Sequence, residues 1–140
     1  MLTRWITFAW LEPHREIGPL FIRLAVGWHL VYGTWDNVVS AARMAEFRGF
    51  LAHHGFAYPD FMAPLSVYAQ FACGLLYVLG LFTRPAAAVM VFNFNVALWM
   101  VHRGRPYPEN ALAILMLCGS LFLLFHGPGR LALDRPRQPS

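Results

Sequence analysis

The run from Phe61 to Phe82 constrains this chain most. It reads FMAPLSVYAQFACGLLYVLGLF and holds no charged residue in 22 positions. An apolar stretch of about 20 residues is long enough to cross a bilayer as a helix. Lipid offers the backbone no hydrogen bonds, so the run must satisfy its own, and helix does so. Thr83, Arg84 and Pro85 follow at once, and a second apolar run begins. The chain is expected to cross, turn tightly on one arginine and cross back. The rival is a buried helical hairpin in a soluble domain. That fold needs polar sequence to cover its core. Here 58% of the residues are hydrophobic and 13% charged, against about 25% charged in soluble domains.

Three further spans are expected around this one. The first, residues 17–36, is interrupted by Arg23 and His29; Arg23 lies near one end and is expected to snorkel toward headgroups. Trp28, Tyr32 and Trp35 form an aromatic stripe on it. After the second span (61–82), the third covers 85–102, opening on Pro85 and carrying Asn93 and Asn95. The fourth covers 109–126 and stops at Gly127-Pro128-Gly129. Between spans one and two, Met44, Phe47 and Leu51 are spaced like one face of a helix, which predicts a short interfacial helix near 38–52. The expected architecture is an all-α integral membrane protein, an antiparallel four-helix bundle.

The patch Trp5–Leu11 is too short to span, and Pro13 follows it rather than a small-residue cleavage site. Residues 1–16 are expected to lie in the interface, with Trp5 and Trp10 at headgroup level, and not to form a cleaved signal. The polar tail, 127–140, is expected to fray. The formal charge of +4 comes from arginine alone, without lysine. These arginines punctuate apolar runs, so anionic lipid headgroups are their expected partners and nucleic acid is not. Arg4, Arg15, Arg84, Arg130, Arg135 and Arg137 share the side of the termini; Arg43, Arg48, Arg103 and Arg105 share the other. The bias favours cytoplasmic termini. Cys73 and Cys118 both fall in apolar runs, outside any CxxC pair, and are expected to be buried apolar side chains.

Polar groups at membrane depth are costly, so each is a candidate for function. His29, Gln70, Asn93 and Asn95 fall at one level, where they would either bind a polar ligand head or join helices by hydrogen bonds. At the outer face stand Asp36, His53, His54, His102 and Glu109, positioned to handle protons. No His-x₃-His or Glu-x-x-His spacing is present, so no metal site is expected. Asn95 and His102 are seven apart and are expected to line one vertical track. No phosphate loop, dinucleotide fingerprint or nucleophile motif appears, and no intrinsic cofactor is expected.

Several stretches together resemble the DoxX family of small four-helix membrane proteins. Gln70-Phe71-Ala72-Cys73-Gly74, leading through Gly80-Leu81-Phe82-Thr83-Arg84, resembles the family's acid-x-x-Gly-Gly run and its Gly-Leu-x-Thr-Arg. Arg23 and Gly27 resemble the arginine and glycine of its first helix. Gly127-Pro128-Gly129-Arg130-Leu131-Ala132-Leu133-Asp134 resembles its Gly-Pro-Gly-Arg-x-Ser-Leu-Asp close. Gln70 stands where the family usually has a carboxylate, and Cys73 where a second glycine is common. The resemblance gives Arg23, Gly74, Gly80, Arg84, Gly127, Gly129 and Asp134 structural roles. It implies a subunit of a redox assembly in a prokaryotic cell membrane, with a quinone or lipid site between its helices. From their depths and shared face, His29 and Asn95 would contact a quinone head there, and His102 with Glu109 would pass protons to the outer face. The alternative is a non-catalytic accessory subunit packed against a larger respiratory or photosynthetic complex. In either case other membrane or redox subunits are the expected partners.

Overall fold

A left-handed glycine, Gly80, decides where the 61–82 apolar run stops being helix. A computed structural model describes residues 6–134 of the chain. Trp5, Arg4, Arg135 and Arg137, to which interfacial or charge roles were assigned above, lie outside the described residues. A 3₁₀ helix, η1 (Ala9–Ile17), leads into α1 (Gly18–Val39), α2 (Ala41–His53), α3 (Pro59–Leu79), α4 (Thr83–Met100) and α5 (Tyr107–His126). No strand occurs among the described residues, so the chain is all-α.

The long run does not stay helical to Phe82. Gly80 takes φ +67° and Phe82 φ +47°, and Leu81 N donates back to Leu76 O at 3.0 Å. This closes α3 as a glycine-terminated helix end. Hydropathy cannot see the stop, because Leu81 and Phe82 are as apolar as the helix before them. α4 then starts two residues earlier than Pro85 and ends at Met100, short of His102. Ser40 adopts extended geometry, ends α1, and accepts from Arg43 N with its Oγ at 3.4 Å, capping α2. The periodicity seen in 44–51 is real: Met44 and Leu51 are buried against Ala63 and Val67 of α3, with Phe47 packed beside them.

α1 packs chiefly on α3, and α4 on α5. Glycines let α1 and α3 touch. A Cβ on Gly27 would lie 2.8 Å from Gly74 O, and one on Gly74 would lie 2.9 Å from Gly27 O. Val26, Leu30, Tyr77, Met90 and Leu123 fill the core above and below this crossing, and Tyr77 Oη donates to Ser120 Oγ at 3.1 Å across to α5.

One end of the molecule is tied by the residues of the family-like motifs. Arg23 is 1% exposed. It does not snorkel. Its Nε donates to Tyr77 O (2.8 Å), Nη2 to Val78 O (3.1 Å), and Nη1 to Pro128 O (3.0 Å) and Leu131 O (2.6 Å). The last carbonyls of a helix lack intrahelical donors, and the guanidinium supplies them. Gly80 leaves the room: a Cβ there would sit 2.5 Å from Arg23 Nη2. Residues 128–134 therefore lie against the α3–α4 turn instead of fraying. Leu133 N donates to Leu79 O, Asp134 N to Gly80 O, and Arg130 N to Glu16 O. Gly129 (φ +77°) passes so close that a Cβ would meet Glu16 O at 2.7 Å, and Arg84 Nη2 donates to Phe125 O at the end of α5. Asp134 Oδ2 accepts from Thr83 N at 2.9 Å and so caps α4 from a distant part of the chain. Asp134→Ala is expected to cost about 1 kcal/mol, the worth of a helix cap, read as a small fall in the thermal midpoint. An unchanged midpoint would mean that water caps the helix equally well.

Candidate functional site

The end opposite this knot is open. Here α1 ends, α3 begins, α4 ends and α5 begins, and the seam between the α1–α3 and α4–α5 pairs widens. It holds a cavity of about 560 Å³, within the size range of small-molecule sites. α2 covers part of it through Phe47, Phe50 and Leu51. Most of the wall is apolar.

The polar part of the wall is built across two helices. Gln70 Nε2 donates to Ser66 Oγ at 2.9 Å, and Ser66 Oγ donates to Asn93 Oδ1 at 3.0 Å. Ser66 and Gln70 are four apart on α3 and so share a face. On α4 the cavity face follows helical periodicity through Val89, Phe92, Asn93, Val96 and Ala97. Asn95 falls on the other side. It is exposed, and its Nδ2 donates to Val91 O of its own helix at 2.8 Å. The expected track from Asn95 to His102 does not form, because α4 ends at Met100 and seven-residue spacing loses its meaning beyond that point.

The end of the cavity away from the knot carries His102 and Glu109. His102 Nδ1 lies 2.8 Å from Asn110 Oδ1. Asn110 Nδ2 donates to Arg105 O at 3.1 Å, which fixes the amide's orientation. Oδ1 is then the acceptor and Nδ1 the donor, which in a neutral ring leaves the Nε2 lone pair free. Glu109 pairs with Arg105 at 3.3 Å. His29 lines the same cavity from α1 and makes no hydrogen bond to another described residue. Five residues named from sequence thus share one cavity: His29, Gln70, Asn93, His102 and Glu109. Asp36 does not reach it and is exposed at the end of α1. His53 and His54 also lie outside; His54 Nδ1 sits 2.8 Å from Phe50 O. Among the described residues, no three His, Cys, Asp or Glu side chains gather closely enough to hold a metal ion.

Sequence reasoning missed Ser66, the bridge between the two amides, and Asn110, which orients His102. Ser66 carried a usable signal, its four-residue spacing from Gln70. Asn110 carried none, since its partner lies across a loop. Cys118, expected to be buried, is exposed, while Cys73 is buried; both are free thiols.

Two described helices are long and apolar enough to cross a membrane, α3 and α5. Only 28% and 17% of their apolar windows are buried within the protein, unlike the core helix of a soluble domain. Over 89 residues the chain is 33% identical to a protein of Mycobacterium tuberculosis (strain ATCC 25618 / H37Rv) named as an uncharacterized membrane protein. The match covers 54% of this chain and 55% of that relative, so the chain spans about half the length of the relative it matches. No solved structure matches. The DoxX family profile matches residues 18–103, from the start of α1 past the end of α4. That stretch includes Arg23 and the glycines of the α1–α3 crossing, and the chain belongs to the DoxX family of membrane proteins.

Proposed function

We propose that α1, α3, α4 and α5 all span the membrane as an antiparallel four-helix bundle, with α2 in the outer interface and both termini cytoplasmic. In this reading the cavity binds an amphipathic ligand, a quinone or a lipid, for a redox assembly in a prokaryotic cell membrane. The observation that carries it is the cavity itself, apolar for most of its wall, with the Gln70–Ser66–Asn93 chain inside and His102 and Glu109 at its outer end. An apolar tail fits the wall, and a polar head finds partners at the amides. The exposed apolar surface supports the membrane placement: Phe92 and Tyr32 are each 72% exposed and Phe125 78%, a surface that needs lipid around it. His102 Nε2 has a free lone pair and Glu109 a carboxylate, so the outer end is equipped to accept protons. Electron transfer needs a centre, which a partner subunit would bring.

The test is native mass spectrometry of the full chain extracted gently from its membrane, followed by titration with decylubiquinone. A stoichiometric quinone-sized adduct is expected. His29→Leu and His102→Leu are each expected to weaken binding about tenfold, the worth of roughly one hydrogen bond. Unchanged binding in both variants would sink the quinone reading.

A second reading is favoured by the aromatic stripe on α1. The Trp28 and Tyr32 rings stack with centroids 6.5 Å apart, both exposed, with Trp35 a turn further on. Such a ridge suits packing against another subunit. Recovery only within a larger assembly, with no small molecule of its own, would support this accessory role instead.

A further inference from the structure

The polar wall of the cavity has a direction. Ser66 has one hydroxyl hydrogen, so it accepts from one amide and donates to the other. Gln70 Nε2 donates to it and Asn93 Oδ1 accepts from it. That leaves the Asn93 NH₂ group and the Gln70 carbonyl oxygen without a partner among the described residues. Turning both amides reverses the chain and exchanges its ends, but one free NH₂ and one free carbonyl still remain. Either way, a ligand head meets a donor at one end and an acceptor at the other.

The cavity is also selective in charge. No arginine lines it, and its one charged side chain, the carboxylate of Glu109, is already paired with Arg105 outside the lining. An anionic head would lose its hydration to neutral amides, with no unpaired cation in the lining to replace it. Amides do not replace the hydration of a full charge. Phe92, Leu65 and Leu112 line the cavity and are exposed, so the wall opens sideways toward the surrounding apolar phase.

We propose that the cavity selects a neutral amphiphile with a hydroxyl on its head and excludes anionic lipids. The hydroxyl donates to the free carbonyl and accepts from the free amide N–H. This rests on the reading of the cavity as an amphiphile site, and it narrows the ligand class. A reduced quinol and a monoacylglycerol share this chemistry, whereas an oxidised quinone offers acceptors only.

The test uses the full chain in phosphatidylcholine nanodiscs at about pH 8, where unperturbed imidazole is neutral. Three probes share one apolar chain: oleyl alcohol, oleyl methyl ether and oleyl sulfate. The alcohol is expected to bind about tenfold more tightly than the ether, and about a hundredfold more tightly than the sulfate. Gln70→Leu and Ser66→Ala, which break the chain at different points, should each bring alcohol and ether to within about twofold. Circular dichroism and the thermal midpoint check that both variants fold. Glu109→Gln should let the sulfate recover part of its deficit. Decylubiquinol and 1-oleoylglycerol then distinguish the two sources, and preferential binding of either supports the proposal. Equal binding of alcohol and sulfate, or a preference for alcohol that survives both variants, would overturn the selectivity and leave the site itself standing. Failure of every neutral probe to bind would overturn the selectivity and the site together.

Discussion

Arg23→Met is expected to destabilise the protein by about 3–5 kcal/mol, the range for stripping a buried charged group from its hydrogen-bond partners. Methionine fills similar volume but donates nothing. The carbonyls of Tyr77, Val78, Pro128 and Leu131 lose their shared donor, and Asp134 loses the favourable field of the guanidinium. The loss should be largest where the knot is thinnest, in the segment 128–134, whose other ties are a few backbone bonds and the Asp134 cap. Two measurements check this. The thermal midpoint in detergent should fall sharply, and limited proteolysis should cut in 128–134 well below that midpoint. Arg23→Lys should recover only part of the loss, because one ammonium nitrogen cannot reproduce a planar fork aimed at four oxygens. A stability within about 1 kcal/mol of the parent would show that water or lipid headgroups reach these carbonyls.

Gly74→Val should cost about 3 kcal/mol by overpacking. A Cβ on Gly74 already lies 2.9 Å from Gly27 O, Leu30 Cβ and Val31 Cγ2. One of these is backbone and cannot rotate away. The helices must part, and the packing of Val26, Leu30 and Tyr77 loosens with them. The two glycines act on one contact, so their effects should not add. Once α1 and α3 have separated in Gly74→Val, adding Gly27→Ala should cost clearly less than it does alone. A double-mutant cycle on unfolding free energy reads this directly. Strict additivity would show that the glycines make separate contacts.

The limits of sequence reading are clearest in particular residues. Asn93 and Asn95 are chemically identical and two positions apart, and only Asn93 faces the cavity. Their fate depended on which side of α4 meets α3, a matter of helix rotation that apolar flanks on both sides leave open. His102 lines the cavity, but the orientation of its ring depends on Asn110, eight residues further along the chain. Arg23 was assigned to the headgroups, as a lone arginine near a helix end usually is. Its burial needed two distant pieces of chain, the end of α3 and the segment 128–131, to deliver carbonyls to one place.

Apolar runs, proline and glycine positions and the α2 periodicity were enough to determine that the chain is helical and roughly where each helix lies. Those signals are local: a helix satisfies its own backbone, and a turn needs only residues that permit it. The motif residues also pointed to the family. Tertiary structure alone decided the rest. It brought Gly80, Pro128, Leu131 and Arg23 together, set Gly27 against Gly74, and aligned Gln70, Ser66 and Asn93 across two helices. Hydrogen bonds of this kind depend on the rotation and spacing of whole helices, and no stretch of sequence carries that information by itself.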